Sequence, residues 1–339
     1  MSNAIITVCV PVYNTVRYIE ECVKGVFAQD YTNWLLLVSD NCSTDGTWEL
    51  LSGLRHPQMQ LFRQPKNMGS VANWNFLLHR VQTEFCCFLG ADDYYYPQHL
   101  SHKIELLQRT PTAPFVHGPA DVIDADGAAF QWPRPGWRRR ARYHLATTIR
   151  SFWNRPKPLS DDFLLQPQGE LLWRMLRDNP ITISSAVFRT AALAEHKLEF
   201  DTRLRFLGDW HLYLELMLHF PHLIRDNQTT CAYRMHAQND TSQNWNTPLW
   251  AVERCTNLLF NLEEHPEEWH RAGFHVRAET ALVASRLLRL WWGRGLCGDG
   301  DGARLAQRAF QQHQGIHQIA ALLDPRVWPA LLRRSSRYL

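Results

Sequence analysis

Apolar and polar stretches alternate over the first hundred residues and predict strands that alternate with helices. Ile5 to Val12 is an apolar run rich in β-branched residues, typical of a strand buried on both faces. From Tyr18 to Ala28 the apolar positions share one helical face, which predicts an amphipathic helix. The same alternation continues with strands at Trp34–Val38, Gln60–Arg63 and Phe85–Leu89, and with helices at Thr47–Leu54 and Ser70–Val81.

This order of elements predicts the fold class and the place of a ligand site. A βαβαβαβ order with short, right-handed connections gives a mostly parallel, doubly wound α/β sheet. In such sheets ligands bind beyond the carboxyl ends of the strands. Polar pairs follow three of the strands, namely Tyr13-Asn14, Asp40-Asn41 and Asp92-Asp93. We therefore expect these three segments to meet at one edge of the sheet.

Beyond Leu107 the alternation weakens. Strands are predicted at Phe115–Gly118, Ala120–Ile123, Ile181–Phe188 and Thr229–Arg234, a helix at Trp210–Phe220 and a tight turn at Asp124-Ala125-Asp126-Gly127. From Trp250 onward the pattern is helical. We therefore divide the chain into residues 1–245, with halves 1–119 and 120–245, and a helical C-terminal region 246–339.

Composition and charge exclude several classes of protein. The chain has 339 residues, of which 45% are hydrophobic, enough for a sizeable core. A formal net charge of +3 is far from the basic excess of proteins that coat nucleic acid, so no nucleic-acid partner is expected. The eight cysteines form no CxxC pair and no zinc spacing, so reduced thiols are expected. No leader segment or apolar stretch of roughly 18 residues is found, and a cytoplasmic location is expected.

Asp92 and Asp93 directly follow the strand Phe85–Leu89. Adjacent carboxylates at a strand end repel each other unless a cation shares the site. Mg²⁺ or Mn²⁺, held by one or two carboxylates and by substrate phosphates, would remove that repulsion. Alternatively, both acids cap a helix that begins near Pro97. The dipeptide alone leaves both interpretations open.

The other two strand ends carry groups that suit a nucleotide. Asp40 could accept hydrogen bonds from N–H groups of a ligand, and Tyr13 offers a ring on which a base could stack. The structural alternatives are an Asx turn at Asp40 and a lone surface aromatic at Tyr13. No GxGxxG follows the first strand, and no glycine-rich loop ends in Gly-Lys-Ser or Gly-Lys-Thr. A nucleotide bound here would therefore need a metal at its phosphates.

A series of motifs, in the family's order, resembles those of family 2 inverting glycosyltransferases of the GT-A fold. The motifs are Val10-Pro11-Val12-Tyr13-Asn14, Val38 to Thr47, Lys66 to Gly69 with Asn73 and Asn75, Leu89 to Asp93, Phe206 to Trp210, and Tyr233 to His236. The resemblance covers roughly residues 4 to 245. It implies a Rossmann-like, mostly parallel mixed sheet flanked by helices, with a nucleotide-sugar-binding half at 1–119 and an acceptor half at 120–245.

The resemblance also implies a role for each matching residue. Asp209 would be the general base, and Asp92 and His236 would bind the metal, Mn²⁺ or Mg²⁺. Tyr13 would stack on the base of a nucleoside diphosphate, and Asp40 would bind the polar edge of that base. The residues assigned in this way to nucleotide binding are Pro11, Tyr13, Asn14, Asp40, Asn67, Asn73 and Asp93.

Two of these motifs leave alternatives open. Gly90 stands where the family usually has the first acid of an Asp-x-Asp motif, which puts ribose contacts there in question. Asp93 is expected to compensate, as an acid behind the metal ligands or by directing water at the metal. Asp209 could instead be the N-cap of the helix that contains Trp210, a role compatible with that of a base.

The implied reaction moves a sugar from a nucleoside diphosphate to an acceptor hydroxyl in a single displacement that inverts the anomeric carbon. A metal-neutralised diphosphate is a good leaving group, and a carboxylate base contributes about 10²–10⁴-fold. We expect a UDP-linked donor and a glycan or glycolipid acceptor, in polysaccharide or glycoconjugate assembly. The alternatives are a nucleotidyltransferase and an inactive nucleotide-sugar-binding scaffold.

Two further surface features are weaker signals. The basic runs Arg138-Arg139-Arg140 and Arg333-Arg334, with the Trp291-Trp292 helix, predict peripheral contact with anionic lipid, although charge runs are usually solvated surface. Trp210 and Trp245 could form a platform for a sugar ring. With 14 tryptophans in the chain, packing in the core is the simpler interpretation for either.

Overall fold

A computed structural model describes residues 4–130, 163–176, 178–244, 247–296 and 299–312. These residues fall into two compact units. The first comprises the described parts of 1–127 and 161–245, and the second those of 128–160 and 246–339. All strands described below lie in the first unit.

The first unit contains an eight-stranded mixed sheet and a smaller three-stranded sheet. The strands are β1 (Ile6–Val12), β2 (Trp34–Asp40), β3 (Met59–Arg63), β4 (Phe85–Phe88), β5 (Tyr94–Tyr95), β6 (Phe115–His117), β7 (Asp121–Ile123), β8 (Phe163–Pro167), β9 (Val187–Arg189), β10 (His222–Asp226) and β11 (Cys231–Arg234). The large sheet has the order β3-β2-β1-β4-β9-β6-β10-β8, and the small one β5-β11-β7. Within the large sheet only β8 and β9 run antiparallel to their neighbours. The predicted mostly parallel sheet is confirmed.

Helices connect these strands. Those of the first unit are α1 (Ile19–Phe27), α2 (Thr47–Gly53), α3 (Ser70–Leu78), α4 (His99–Arg109), α5 (Gln168–Met175), α6 (Thr190–Glu195), α7 (Gly208–His219) and α8 (Asp240–Asn244). The predicted helices α1, α2, α3 and α7 are confirmed with ends shifted by a few residues, as fraying of helix ends leads one to expect.

The strands β1, β2 and β4 are central to the site because they end at the same edge. β1 pairs in parallel with β2 from Ile6 opposite Trp34 to Val12 opposite Asp40. On its other side β1 pairs in parallel with β4. Side chains from both faces of β1 are buried, including Val8 and Cys9, which point to opposite faces of the sheet. The expectation of a strand buried on both faces is confirmed.

The structure corrects the strand predicted at Ile181–Phe188. Ile183–Ser185 is a 3₁₀ turn, and only Val187–Arg189 is extended. The Ser185 hydroxyl donates to the carbonyl of Thr182 at 2.8 Å, a local hydrogen bond of the kind that competes with a sheet.

The structure also corrects the alternative of a helix cap at Asp92-Asp93. Tyr94–Tyr95 forms β5, and α4 begins only at His99. Both carboxylates are therefore too early in the chain to cap that helix.

The predicted turn at Asp124 to Gly127 is present, with the Gly127 amide donating to the Asp124 carbonyl at 3.1 Å.

The second unit is helical in its described part, as predicted for the C-terminal region. Its helices are α9 (Pro248–Glu264), α10 (Pro266–Arg271), α11 (Val276–Leu296) and α12 (Gly300–Gln312). The start of α9 is fixed by the Thr247 hydroxyl, which accepts a hydrogen bond from the Trp250 amide at 3.2 Å. None of the helices that the structure describes has the length and apolar character needed to cross a bilayer.

Several predicted features lie outside the described residues. These are the basic runs at 138–140 and 333–334, Trp245, and the side chains of Trp291 and Trp292. Cys9, Cys22, Cys42, Cys86, Cys87 and Cys231 are free thiols, as expected. Trp210 is fully buried, which is the core role rather than the platform for a sugar.

Candidate active site

The first turn of the site follows β1 and exposes Tyr13. The Tyr13 side chain is 46% exposed, so its ring is available to a ligand. Asn14 has a left-handed φ of +51°, which turns the chain sharply away from the strand. Its amide donates to the Ser43 hydroxyl and its side-chain oxygen accepts from the Thr44 amide, both at 2.9 Å. The side chain of Asn14 thus joins the loops that follow β1 and β2.

Asp40 ends β2 directly beside this turn but has no exposed surface. Its two carboxylate oxygens accept from the Ser43 amide at 3.3 and 3.2 Å. The Arg63 Nε lies 3.6 Å from one of those oxygens. The buried Asp40 carboxylate therefore stabilises the loop after β2, as in the Asx-turn alternative. It does not reach the surface.

Asn67 and Asn73 differ in their environment. Asn67 is exposed, and its side-chain oxygen accepts from the Gly69 amide at 2.8 Å. Asn73 is buried in α3, where its amide oxygen accepts from the Ser39 hydroxyl at 2.6 Å and its NH₂ group donates to the Ser39 carbonyl at 2.9 Å. Asn73 thus fastens α3 to β2. Pro11 is half-buried in β1, opposite Ser39.

The missing side chain of Gly90 leaves space for the carboxylates of Asp92 and Asp93, which lie against this glycine. A Cβ at Gly90 would lie 2.8 Å from Asp93 Oδ2 and 3.1 Å from Asp92 Oδ1. Real Cβ atoms essentially never approach other heavy atoms within 3.0 Å. The departure from the family's acid at this position therefore has a steric reason, because both carboxylates fold over the glycine.

Asp93 is buried and held by two donors. The Ser184 hydroxyl donates to one carboxylate oxygen at 2.5 Å, and the Arg234 amide donates to the other at 2.8 Å. Burial and the neighbouring charge of Asp92 raise the pKa of Asp93 well above its usual range. Both oxygens already have protein partners, which favours a role behind the metal ligands over direct ligation.

Asp92 is partly accessible and pairs with His236. The His236 Nε2 lies 2.9 Å from Asp92 Oδ2, and the Gln238 amide donates to His236 Nδ1 at 3.2 Å. Two cis ligands of an octahedral cation with bonds of about 2.1 Å stand roughly 3 Å apart, so the two atoms have the separation that one Mg²⁺-sized ion requires. A carboxylate and an imidazole also suit Mn²⁺. The residues present fit a divalent cation.

Arg234 fixes the backbone around this pair. Its guanidinium is buried, donates to the Asp92 carbonyl at 2.9 Å and pairs with Glu21 at 2.5 Å. It also stacks over the Tyr18 ring at 4.9 Å, and Tyr18 in turn contacts the His236 ring at 4.7 Å. One buried cation thus holds the segment after β4 and positions the histidine through a shared aromatic ring.

Asp209 lies in the first turn of α7, whose N-cap is Leu207. The alternative that Asp209 is the N-cap is therefore wrong, because the N-cap lies two residues earlier in the chain. One oxygen of Asp209 accepts from the Trp210 amide at 2.7 Å, and the other accepts from the Asn179 side chain at 3.2 Å. Burial raises the pKa of Asp209 to about 6.

Tyr233 precedes Arg234 in β11, and its phenol feels the charges of three acids. Burial, together with the negative charges of Asp93, Asp92 and Asp209, raises the pKa of its phenol. Its hydroxyl donates to or accepts from the Thr241 hydroxyl at 2.8 Å. The segment that precedes β9 contacts acids of both groups, because Asn179 donates to Asp209 and Ser184 donates to Asp93.

Sequence reasoning missed three residues that hold these acids. Ser184 binds Asp93, Asn179 binds Asp209, and the Arg234 guanidinium holds the Asp92 backbone. Asn179 precedes Pro180, a dipeptide that signals a turn, and Arg234 stands inside the Tyr233 to His236 motif. Ser184 lies in an apolar run that was assigned to a strand, so nothing local distinguished it.

With this geometry in place, comparison with known proteins identifies the family. Residues 7–162, just under half of the chain, match the family described as Glycosyl transferase family 2. This part of the chain is thus similar to family 2 glycosyltransferases, and the predicted resemblance is confirmed.

Curated relatives are distant. The chain is 27% identical over 141 residues to TuaG of Bacillus subtilis, named for teichuronic acid biosynthesis, an alignment of 36% of this chain and 56% of TuaG. It is 26% identical over 151 residues to WcaA of Escherichia coli, named for colanic acid biosynthesis, covering 42% of this chain and 53% of WcaA. The chain thus spans about half the length of these relatives.

Solved structures share the fold. S. aureus TarS 1-349 in complex with UDP-GlcNAc superposes with a TM-score of 0.57 at 17% identity, covering 91% of each chain. The mannosyltransferase PcManGT from Pyrobaculum calidifontis, in complex with GDP-Man and Mn²⁺, gives a TM-score of 0.50 at 17% identity, covering 94% of this chain and 86% of PcManGT. The chain has the GT-A fold, which confirms the predicted fold class.

Proposed function

We propose that this protein transfers a sugar from a nucleoside diphosphate sugar to an acceptor hydroxyl, with inversion at the anomeric carbon and with a divalent metal. The observation that carries the proposal is a pair of contacts from one segment, in which Ser184 donates to Asp93 and Asn179 donates to Asp209. A carboxylate–histidine pair on one side and a carboxylate of raised pKa on the other are the two parts that such a displacement requires.

Asp92 and His236 would hold the metal, Mn²⁺ or Mg²⁺. When bound, the cation neutralises charge on the leaving diphosphate. Asp93 acts behind this pair, since its carboxylate accepts from Ser184 and from the Arg234 amide and so keeps the segment after β4 in shape. The Mn²⁺ of the related mannosyltransferase structure supports a divalent ion.

Asp209 would take the proton of the acceptor hydroxyl as that oxygen attacks. With a pKa of about 6, the group is largely ionised at neutral pH yet basic enough to accept a proton in the transition state. The Asn179 side chain and the Trp210 amide orient the carboxylate. Since no second carboxylate is needed as a nucleophile, a single displacement results, and it inverts the anomeric configuration.

The donor nucleotide would lie along the edge formed by the ends of β1, β2 and β4. The exposed Tyr13 ring is available to stack on a base, and Asn67 is exposed in the loop after β3. Pro11, Asn14, Asp40 and Asn73 support that surface from within the loops and the sheet. A UDP-linked donor is proposed because TarS binds UDP-GlcNAc.

A glycan or glycolipid is the proposed acceptor. Two relatives are named for teichuronic acid and colanic acid biosynthesis, which supports a place in polysaccharide assembly. A cytoplasmic location, with peripheral contact to the membrane, is the setting we propose for this reaction.

A donor screen tests the proposed function. Purified protein is incubated with UDP-Glc, UDP-GlcNAc and GDP-Man, with Mn²⁺ or with EDTA, and release of the nucleoside diphosphate is measured. We expect release from at least one donor, only with metal, and at least a hundredfold loss in Asp209→Asn. Glu105→Gln is the control, because Glu105 is an exposed acid of α4 paired with Arg109. Metal-independent release, or equal release by Asp209→Asn, would contradict the proposal.

A further inference from the structure

A cavity of about 210 Å³ lies at the ends of β6 and β10 in the first unit. It is smaller than the pockets of about 300–1,000 Å³ that hold drug-sized ligands, so it has room for a single sugar unit or a charged substituent. The residues that line it are His117, Gly118, Pro119, Gln166, Leu171, Arg174, Pro180, Arg225, Asp226 and Asn227.

Neighbouring strands bring three polar side chains to the same wall of this cavity. Arg225 of β10 stands opposite His117 of β6 in the parallel register. Gln166 of β8 stands opposite Leu223, two residues before Arg225 and therefore on the same face of the sheet. His117 and Gln166 are buried, and their side chains meet at 3.4 Å. The wall is thus built from the sheet rather than from mobile surface chains.

The charge of the wall is positive. Asp226 also lines the cavity, but its side chain alternates with that of Arg225 along β10, and its carboxylate is paired with Lys103 Nζ at 2.6 Å and His102 Nε2 at 3.0 Å. Burial lowers the pKa of His117 to about 3, so this ring is neutral at physiological pH. Among the described residues, no carboxylate pairs with the Arg225 guanidinium, whereas Arg174 has Glu170 at 3.4 Å.

The cavity adjoins the proposed base. Pro180 lines the cavity, and the residue before it, Asn179, donates its side-chain hydrogen bond to Asp209. The Gly118 amide at the end of β6 also lies 3.5 Å from the Ser185 hydroxyl, next to the Ser184 that holds Asp93. Adjacent residues, Asn179 and Pro180, thus connect the proposed base to the cavity.

We propose that this cavity is an acceptor subsite that binds an acidic sugar unit, with Arg225 pairing with its carboxylate or phosphate group and with Arg174 at its rim. The inference rests on the proposed function, because it assigns the acceptor side of the same reaction. A planar guanidinium binds both kinds of anion through two parallel hydrogen bonds. Gln166, on the same wall, is placed to bind hydroxyl groups of the ring.

Binding of single sugars tests the subsite. Saturation-transfer NMR is recorded with glucose, glucuronate and glucose 6-phosphate at equal ionic strength, with UDP and Mn²⁺ present to fill the donor side. We expect the wild-type protein to bind at least one of the two acidic sugars at least tenfold more tightly than it binds glucose. Glucuronate and glucose 6-phosphate distinguish a carboxylate-specific from a phosphate-specific subsite.

Three variants decide whether Arg225 is responsible. Arg225→Gln should abolish the preference for acidic sugars, and Arg225→Lys should retain part of it, because the charge remains but the paired hydrogen bonds are lost. Arg55→Gln, an exposed arginine on the far β2–β3 side that bonds only local carbonyls, should behave as wild type. No preference in wild type, or an unchanged preference in Arg225→Gln, would overturn the subsite.

Donor turnover, measured in the same preparations as release of nucleoside diphosphate, separates this inference from the proposed function. If release depends on metal and on Asp209 but the acidic sugars show no preference, only the subsite is wrong. If no donor is turned over, the proposed function fails, whatever the sugars do.

Discussion

The three aspartates of the proposed site have three different environments. Asp92 pairs with His236 and is partly accessible, Asp93 is buried and accepts from two donors, and Asp209 is half-buried in the first turn of α7. An aspartate's chemistry depends on these neighbours more than on its own side chain. These differences are the reason why we propose three roles for three identical residues: metal ligand, support of a loop and general base.

The raised pKa of Asp209 predicts the pH dependence of the reaction. Only the ionised carboxylate can accept the acceptor's proton, so the rate should fall about tenfold per pH unit below a pH of about 6 and level off above it. Initial rates of metal-dependent transfer between pH 4.5 and 8.5 give the profile. A profile that stays flat through pH 5 would exclude Asp209 as the base.

The same shift predicts the stability of Asp209→Asn. The folded protein binds the Asp209 proton more tightly than the unfolded chain does, so this contribution to stability is fully present below about pH 4 and is lost as the pH rises through about 6. At pH 8 the variant should be more stable than wild type, by at most about 3 kcal/mol, and the difference should vanish near pH 4. Urea unfolding at both pH values measures it. A variant that is less stable than wild type at pH 8 would contradict the burial argument.

Gly90→Ala tests the crowding of the two acids. The new Cβ would push on Asp93 Oδ2 and Asp92 Oδ1, so we expect at least a tenfold loss of Mn²⁺-linked UDP affinity and about 1–3 kcal/mol of stability. Gly53→Ala is the control, because nothing lies within 4 Å of a Cβ at this exposed end of α2. Calorimetry that finds wild-type affinity in Gly90→Ala would refute the steric explanation.

At the scale of elements, the sequence predicted the parallel part of the sheet and missed most of its antiparallel edge. β1, β2 and β4 are buried on both faces and read as continuous apolar runs, as in Phe85 to Phe88. β8 contains the polar residue Gln166, β10 ends at Asp226, and the two strands pair with partners far away in the sequence. Local periodicity cannot encode such pairing.

The sequence predicted those residues of the candidate site that directly follow strands. Tyr13, Asp40 and Asp92 follow apolar runs, so their meeting at one edge followed from the parallel order. Ser184 and Asn179 reach the site from the connection before β9 and the segment after α5, which no strand period marks. Their roles required the tertiary structure.

The helix α3 is fastened to the sheet by buried amides, which predicts how its variants behave. Asn73→Ala should cost about 1–3 kcal/mol of stability, because the Ser39 groups lose their partner, yet change the Kd for UDP less than threefold. Asn75→Ala, which removes the paired hydrogen bonds to Phe200, should do the same. Urea unfolding and UDP titration measure both. A tenfold loss of UDP affinity at unchanged stability would show that Asn73 contacts the nucleotide.

At the scale of the whole molecule, donor binding should be coupled to metal and visible as stability. A ligand that binds only the folded state raises the stability by about 2.7 kcal/mol at a hundredfold excess over its Kd. UDP with Mn²⁺ should therefore raise the melting temperature by several degrees, and EDTA should remove most of this increase. In Asp92→Ala, Mn²⁺ should add nothing to the effect of UDP alone. Equal metal-linked increases in Asp92→Ala and wild type would mean that the metal binds elsewhere.

The stereochemistry of donor turnover tests the central claim most directly. The claim is that Asp209 takes the proton of one attacking hydroxyl, whose oxygen displaces the diphosphate from the opposite side of the anomeric carbon. Proton NMR follows the anomeric proton of the released or transferred sugar from an α-linked donor with Mn²⁺. We predict that the β-anomer appears first in wild type and that Asp209→Asn forms no product. The α-anomer as first product, or β-product formed at the wild-type rate by Asp209→Asn, would contradict the account.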